Sequence, residues 1–183
     1  MNIAQGVSNN NFMKIFLTGI AGSGKTTVLA ELQKHGYVVI DLDATGICRW
    51  KNIATGEVTE YGPDGRDQKW LNEHGWYCDI VILKKLLSCM REDKDVFVAG
   101  VVDNLEDVIR EFDKVFLLVA PDNVVKERLS SRTHSHFGKK EDEQETILSW
   151  KPELIIKVKN FIEVDTSKTP HEAAEFILNK LEK

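Results

Sequence analysis

Two hydrophobic rhythms alternate along this 183-residue chain. Short, nearly unbroken apolar runs are separated by longer stretches whose apolar positions recur every three or four residues. The runs are Phe12–Thr18, Tyr37–Asp41, Val96–Val102, Val115–Ala120 and Phe161–Val164. Runs of this length suit strands buried on both faces of a parallel sheet. The longer stretches predict helices. Thr26–His35 carries Val28, Leu29 and Leu32 on one face and closes at Gly36, a natural residue just past a helix end. Tyr77–Met90 repeats with Ile80, Leu83, Leu86, Leu87 and Met90, and Leu105–Phe112 follows. Asn123–Arg132 is preceded by Asp122 as N-cap, and Glu143–Trp150 should end before Pro152. Pro170–Leu181 closes the pattern, with Thr169 as N-cap and Glu172 in the first turn. Strands alternating with helices predict an α/β fold around a parallel sheet.

Two stretches stand outside this rhythm. Met1–Asn11 is rich in Asn and Ser and reads as a loose tail, leaving residues 12–183 as one domain. The segment 44–66 holds four glycines, one proline and three basic residues with little apolar periodicity. A long irregular connection in a compact domain is usually functional or disordered. A substrate-contacting excursion with an exposed Trp50 is the expectation.

Composition narrows the possibilities. An apolar share of 42% and a charged share of 29% are those of a globular chain. The net charge of −5 argues against a surface that grips nucleic acid as a whole. Cys48, Cys78 and Cys89 show no CxxC spacing, which fits a reducing compartment; Cys78 and Cys89 read as small residues on a helix face. No apolar run is long enough to span a bilayer, and the first residues lack a signal-peptide core, so a soluble cytoplasmic protein is expected. His134 and His136 sit in a polar loop without a ligand pattern around them.

Gly19-Ile20-Ala21-Gly22-Ser23-Gly24-Lys25-Thr26 fits GxxxxGK[ST] at every fixed position. It follows a predicted strand and opens a predicted helix, as its mechanism requires. Glycines let successive backbone N–H groups turn inward, and the helix N-terminus adds partial positive charge. Gly19, Ala21, Gly22, Ser23, Gly24, Lys25, Thr26 and Thr27 are therefore the expected nucleotide cradle. Lys25 would neutralise the β- and γ-phosphates and Thr26 would offer its hydroxyl to Mg²⁺. This specifies a nucleoside triphosphate and magnesium, and leaves the acceptor open.

With this loop, the Asp-x-Asp ending the second strand (Asp41-Leu42-Asp43) and an arginine-bearing helix before a basic loop (Arg128, Arg132), the chain resembles small P-loop kinases. These include the nucleoside monophosphate kinases, shikimate kinase and gluconate kinase. The resemblance implies three α/β/α layers, a five-stranded parallel sheet ordered 2-3-1-4-5, and a lid, here 133–142. It implies transfer of the γ-phosphoryl group of ATP, with Mg²⁺, to a nucleotide or another small metabolite. It places Asp41 nearer the metal and Asp43 nearer the acceptor; either residue also suits a turn cap. Lys25, Asp43, Arg128 and Arg132 form the expected catalytic set. Asp103, ending another apolar run, is a Walker-B-like carboxylate for a water-mediated contact to Mg²⁺, or a turn residue.

The acceptor side is drawn from Asp43, Arg49, Trp50, Arg66 and Gly100. Basic residues and an aromatic ring suit an anionic or planar molecule, and Gly100 would permit close backbone approach. The chain lacks the Asp-Gly-Phe-Pro-Arg run of adenylate kinases and the Gly-Gly-Gly run of shikimate kinases, so the resemblance does not name the acceptor. A nucleotide-dependent regulatory NTPase and a nucleic-acid-end kinase remain alternatives. The first lacks an Asn-Lys-x-Asp guanine motif, and the second would need a broader basic groove.

Overall fold

The chain is seen in a computed structural model that describes residues 12–60, 68–90, 94–133, 138–158 and 160–181. Five strands form the main sheet: β1 (Lys14–Thr18), β2 (Val38–Asp41), β6 (Val96–Ala99), β7 (Lys114–Val119) and β8 (Ile162–Asp165). Their order is β2-β6-β1-β7-β8, every pair parallel. Counting these five in chain order gives 2-3-1-4-5, as expected.

Alternation along the strands makes the layers. Phe16, Val96, Val98, Val115 and Leu117 point into one core, while Ile15, Leu17, Phe97, Ala99, Phe116 and Leu118 point into the other. The second core is closed by α1 (Lys25–Lys34) and α8 (Pro170–Asn179) through Val28, Leu29, Leu32, Ala173, Ala174 and Ile177. The first is covered by α2 (Leu42–Thr45), α4 (Ile80–Ser88), α5 (Leu105–Ile109), α6 (Asp122–Ser131) and α7 (Glu141–Lys157).

The segment after β2 departs from expectation. β3 (Cys48–Asn52), β4 (Val58–Thr59) and β5 (His74–Cys78) form a separate antiparallel sheet ordered β4-β3-β5, with α3 (Gln68–Glu73) leading into β5. Residues 77 and 78 therefore belong to a strand and not to the following helix, which starts at Ile80. Asp79 fixes that start by accepting from the N–H groups of Val81 and Ile82 at 3.0 Å each. Cys78 sits opposite Cys48 across the sheet, and both are buried. The Cys78 sulfur alongside it, and then burial, push the Cys48 thiol well above its ordinary range. Cys89 is exposed.

Two helix boundaries also differ. α7 runs through Pro152 to Lys157. Ile147 and Leu154 are seven residues apart on one face and both buried, and Lys151 Nζ donates to Ala120 O at 3.1 Å and Asp122 Oδ1 at 3.0 Å. This packing outweighs the hydrogen bond that proline removes, a loss of about 3 kcal/mol in a helix interior. Asp122, expected as the N-cap, is the first residue of α6, and Pro121 takes the cap position. No helix among the described residues is long and apolar enough to cross a membrane.

Candidate active site

The loop between β1 and α1 turns on glycine. Gly22 and Gly24 have φ of 85° and 94°, a region that favours residues without a Cβ. Ser23 N donates to Ile20 O at 3.1 Å, closing the turn. At Gly19 a Cβ would meet Leu118 O and Ser23 Oγ at 2.5 Å each. Ser23 Oγ occupies that space, buried and without a hydrogen-bond partner among the described residues. Lys25 Nζ folds over the loop, donating to Gly19 O at 2.6 Å and Ile20 O at 3.1 Å.

Lys25 is half-buried in a site of mixed charge. Desolvation brings its ammonium down to about 8, with Arg132 pushing the same way and Asp43 and Asp41 opposing. These interactions bring Lys25, Asp41, Asp43 and Arg132 together. Desolvation lowers Arg132 as well, against the pull of Asp43.

The end of β2 supplies both carboxylates. Asp41 Oδ1 accepts from Asp43 N at 3.1 Å, capping the short α2, while its Oδ2 accepts from Thr26 Oγ1 at 3.2 Å. A hydroxyl beside a carboxylate at the loop's helix end is an all-oxygen donor set of the kind Mg²⁺ prefers. Both are exposed or half-buried and open to an ion. The loop, Lys25 and this pair thus fit a magnesium-bound triphosphate. Thr27 lies on the exposed start of α1, and Ala21 packs beside the first core.

Asp43 has a partner that sequence reasoning missed. Trp76 Nε1 donates to Asp43 Oδ1 at 3.0 Å. Trp76 stands opposite Trp50 in the β3–β5 pairing, their rings 5.3 Å apart. Trp50 also meets Trp70 at 4.9 Å, and Trp70 stacks on His74 at 4.2 Å. Four aromatic side chains thus continue outward from Asp43 along one face of the small sheet. Trp50 is half-buried among them, and not the exposed ring expected. The signal in the sequence was period-two alternation in Cys48–Asn52, with Cys, Trp and Asn on one face and Arg and Lys on the other.

Other predicted residues take different positions. Arg49 bends back to donate to Gly46 O and, at 2.9 Å, to Cys48 O. Gly100 leaves room for Leu42, whose Cδ1 would lie 2.9 Å from an added Cβ. Its small size serves the packing of α2 there. Asp103 Oδ2 accepts from Trp76 N at 2.6 Å, binding the connection between β6 and α5 to β5. Partial desolvation raises the Asp103 carboxyl even though it retains open surface. Its close approach also requires glycine at 75, where a Cβ would meet Asp103 Oδ2 at 2.9 Å. Asp103 is thus a brace for the small sheet and is not among the groups that perturb Lys25. Arg66, His134 and His136 lie outside the described residues.

Arg128 holds the phosphate loop from behind. Its Nη2 donates to Thr166 O at 2.6 Å, and its Nη1 lies 3.5 Å from Gly22 O and Thr166 Oγ1. Thr166 is buried, with its hydroxyl 2.8 Å from Ser23 O and 2.9 Å from Val119 O. Thr166 is not among the site residues expected from sequence. Past Arg132, the described end of the basic segment is anchored. Glu143 Oε2 accepts from Gly138 N at 2.9 Å, and Gln144 Nε2 donates to Gly138 O at 3.0 Å and Ser130 Oγ at 2.9 Å.

Sheet order, phosphate loop and carboxylate pair together define a small P-loop kinase fold. Solved structures agree. Shikimate kinase from Acinetobacter baumannii in complex with shikimate is 18% identical with a TM-score of 0.62, covering 94% of each chain. A gluconokinase from Sinorhizobium meliloti 1021 is 19% identical with a TM-score of 0.54, covering 94% of this chain and 93% of its own. Deoxyadenosine kinase from M. mycoides with bound dATP is 17% identical with a TM-score of 0.53, covering 93% of this chain and 100% of its own. No curated protein matches the sequence. Residues 15–149 match the family described as AAA domain, and the chain belongs to that family.

Proposed function

We propose that this protein is an ATP-dependent phosphotransferase that moves the γ-phosphoryl group to a nucleotide or other small metabolite. The observation that carries this reading is the convergence of Lys25, Asp43 and Arg132 at the mouth of the glycine loop, beside the Thr26–Asp41 pair. A loop alone would serve any nucleotide-binding protein. A carboxylate and a guanidinium facing the same ammonium suit group transfer, where the protein positions reactants and offsets charge.

In this reading the loop amides and Lys25 hold the triphosphate of ATP. Thr26 and Asp41 would hold Mg²⁺, which when bound offsets phosphate charge. Asp43 accepts the proton of an acceptor hydroxyl as its oxygen bonds to the γ-phosphorus and the bond to the bridging oxygen breaks. Trp76 fixes the carboxylate for that task. Arg132 meets charge on the transferred group, and the segment 133–142 closes over it to exclude water. Arg128 acts by holding the loop in shape.

The acceptor lies on the Asp43 side, against the aromatic face of Trp50, Trp70, His74 and Trp76. Such a surface suits a ring, whether a base or a sugar, better than a small open-chain acid. The fold shared with the solved shikimate kinase, gluconokinase and deoxyadenosine kinase supports the reaction class. We take the reaction to occur in the cytoplasm. The test is transfer of label from γ-labelled ATP to a panel of nucleosides, nucleotides, sugars and acidic metabolites. A labelled acceptor supports the reading; release of inorganic phosphate alone, at a rate indifferent to every compound, overturns it.

A further inference from the structure

Away from the phosphate loop, on the opposite end of α1, two histidines and two glutamates face one another across a helix pair. Glu31 and His35 are four residues apart at the end of α1, and His171 and Glu175 are four apart at the start of α8. That spacing puts each pair on one helix face. Leu32 of α1 and Ala173, Ala174 and Ile177 of α8 pack between the helices and set their approach. Among the described residues, Glu31, His35 and His171 form one group whose ligand atoms all lie within 4.8 Å of one another.

Direct pairing within the group is incomplete: Glu31 meets His171, while His35 reaches neither carboxylate closely. His171 Nδ1 is 3.4 Å from Glu31 Oε1, and His35 Nε2 is 4.0 Å from both Glu31 Oε1 and Glu175 Oε1. The last two are too long for hydrogen bonds. Yet ligand atoms around a tetrahedral zinc lie about 3.4 Å apart, given metal–ligand bonds near 2.1 Å. The imidazoles lie nearly parallel with centroids 5.8 Å apart. Small side-chain rotations bring their nitrogens inward. Glu31 Oε2 is engaged by Lys34 Nζ at 2.8 Å, which orients the carboxylate and leaves Oε1 toward the histidines. Outer contacts of this kind fix a ligand's direction. His171 and Glu175 keep 62% and 48% of their side-chain surface, so an ion has an entry path.

We infer that this α1–α8 junction binds a borderline divalent transition metal such as Zn²⁺, through Glu31, His35 and His171, with Glu175 as a fourth ligand. Imidazole with carboxylate suits Zn²⁺, Co²⁺, Ni²⁺ or Cu²⁺, and disfavours Mg²⁺ and Ca²⁺, which prefer oxygen alone. The ion would staple the two helices that close the second core. This is separate from the magnesium expected at Thr26 and Asp41, and stands whether or not the protein is a kinase.

The test is titration of the nucleotide-free full chain with Zn²⁺ in excess Mg²⁺, followed by calorimetry and thermal melting, with Co²⁺ as a spectroscopic probe. One equivalent should bind and raise the melting temperature. Bound Co²⁺ should show ligand-field bands without a thiolate charge-transfer band. His171→Ala, His35→Ala and Glu175→Gln all change exposed residues. Each histidine variant should weaken binding at least about tenfold and abolish the metal-dependent rise in melting temperature. Absence of binding to the unaltered chain, a thiolate band, or undiminished affinity in the histidine variants would each overturn the proposal. Should His35→Ala fail to fold, His171→Ala and Glu175→Gln carry the test.

Discussion

The indole N–H of Trp76 donates to Asp43 Oδ1 at 3.0 Å, joining a strand of the small sheet to the carboxylate at the end of β2. Trp76→Phe keeps a ring in place and removes the donor. Hydrogen bonds to charged groups are worth about 1.5–3 kcal/mol, so turnover should fall about ten- to a hundredfold. The Michaelis constant for ATP should stay near its original value, because Asp43 serves the acceptor. Steady-state kinetics with both substrates varied checks this; an effect confined to the ATP constant would move Asp43 to the donor side.

Lys25 predicts proton uptake on nucleotide binding. Desolvation brings the ammonium of the empty site down to about 8, and a bound triphosphate restores its charge and raises it again. Above pH 8, binding Mg-ATP should therefore take up close to one proton, falling toward none near pH 6.5. Calorimetry in buffers of different ionisation heat reads this directly. The same group affects stability. Its folded value lies below the ordinary lysine value of 10.5, so the unfolded chain binds more protons between pH 8 and 10.5. Its contribution to stability is unfavourable below pH 8 and rises across that window. Lys25→Met should leave the empty protein at least as stable at pH 7, while losing nucleotide binding.

Thr166 links the loop after β8 to the phosphate loop through Ser23 O, and to β7 through Val119 O. Thr166→Val keeps its shape and takes the hydroxyl from Ser23 O, while Val119 O keeps the Thr166 N–H at 2.8 Å. The expected cost is about 1–3 kcal/mol, read as a lower denaturation midpoint, together with weaker ATP binding. Arg128→Ala should weaken ATP binding as well, since Arg128 holds the Thr166 carbonyl and reaches Gly22. Unchanged ATP affinity in both variants would detach this corner from the site.

Gly100→Ala tests why glycine stands there. The added methyl would lie 2.9 Å from Leu42 Cδ1 and 3.1 Å from Leu42 Cβ. Overpacking of this kind costs about 1–3 kcal/mol. The cost should shrink in the double variant Gly100→Ala with Leu42→Ala, relative to Leu42→Ala alone. Loss of acceptor affinity with stability unchanged would restore the role expected from sequence.

The main sheet was legible because four of its five strands are mostly apolar runs of four to six residues flanked by helical periodicity, and because the glycine loop fixes where the first strand ends. The small sheet was obscured for physical reasons. β4 has only two residues, and β5 runs almost directly into α4, so the helical spacing from Ile80 onward drew Tyr77 and Cys78 into the helix. Asp43 stood out as a carboxylate at a strand's end. Its partner Trp76 lies 33 positions away, and only the β3–β5 register brings them together. Asp103 shows the converse. An acid ending an apolar run looks the same in sequence whether or not one of its oxygens already accepts, as Asp103 Oδ2 does, from a backbone N–H. Pro152 likewise reads as a stop, and only the packing of Ile147 and Leu154 explains why α7 continues.

The account rests on the loop from Gly19 to Thr26 holding a triphosphate. Calorimetric titration with Mg-ATP of the unaltered protein and of Lys25→Ala, alongside their melting curves, tests this most directly. The predicted result is saturable heat for the unaltered chain and none for Lys25→Ala, with the variant still melting cooperatively. No heat from the unaltered chain, or equal affinity in a well-folded Lys25→Ala, would contradict it.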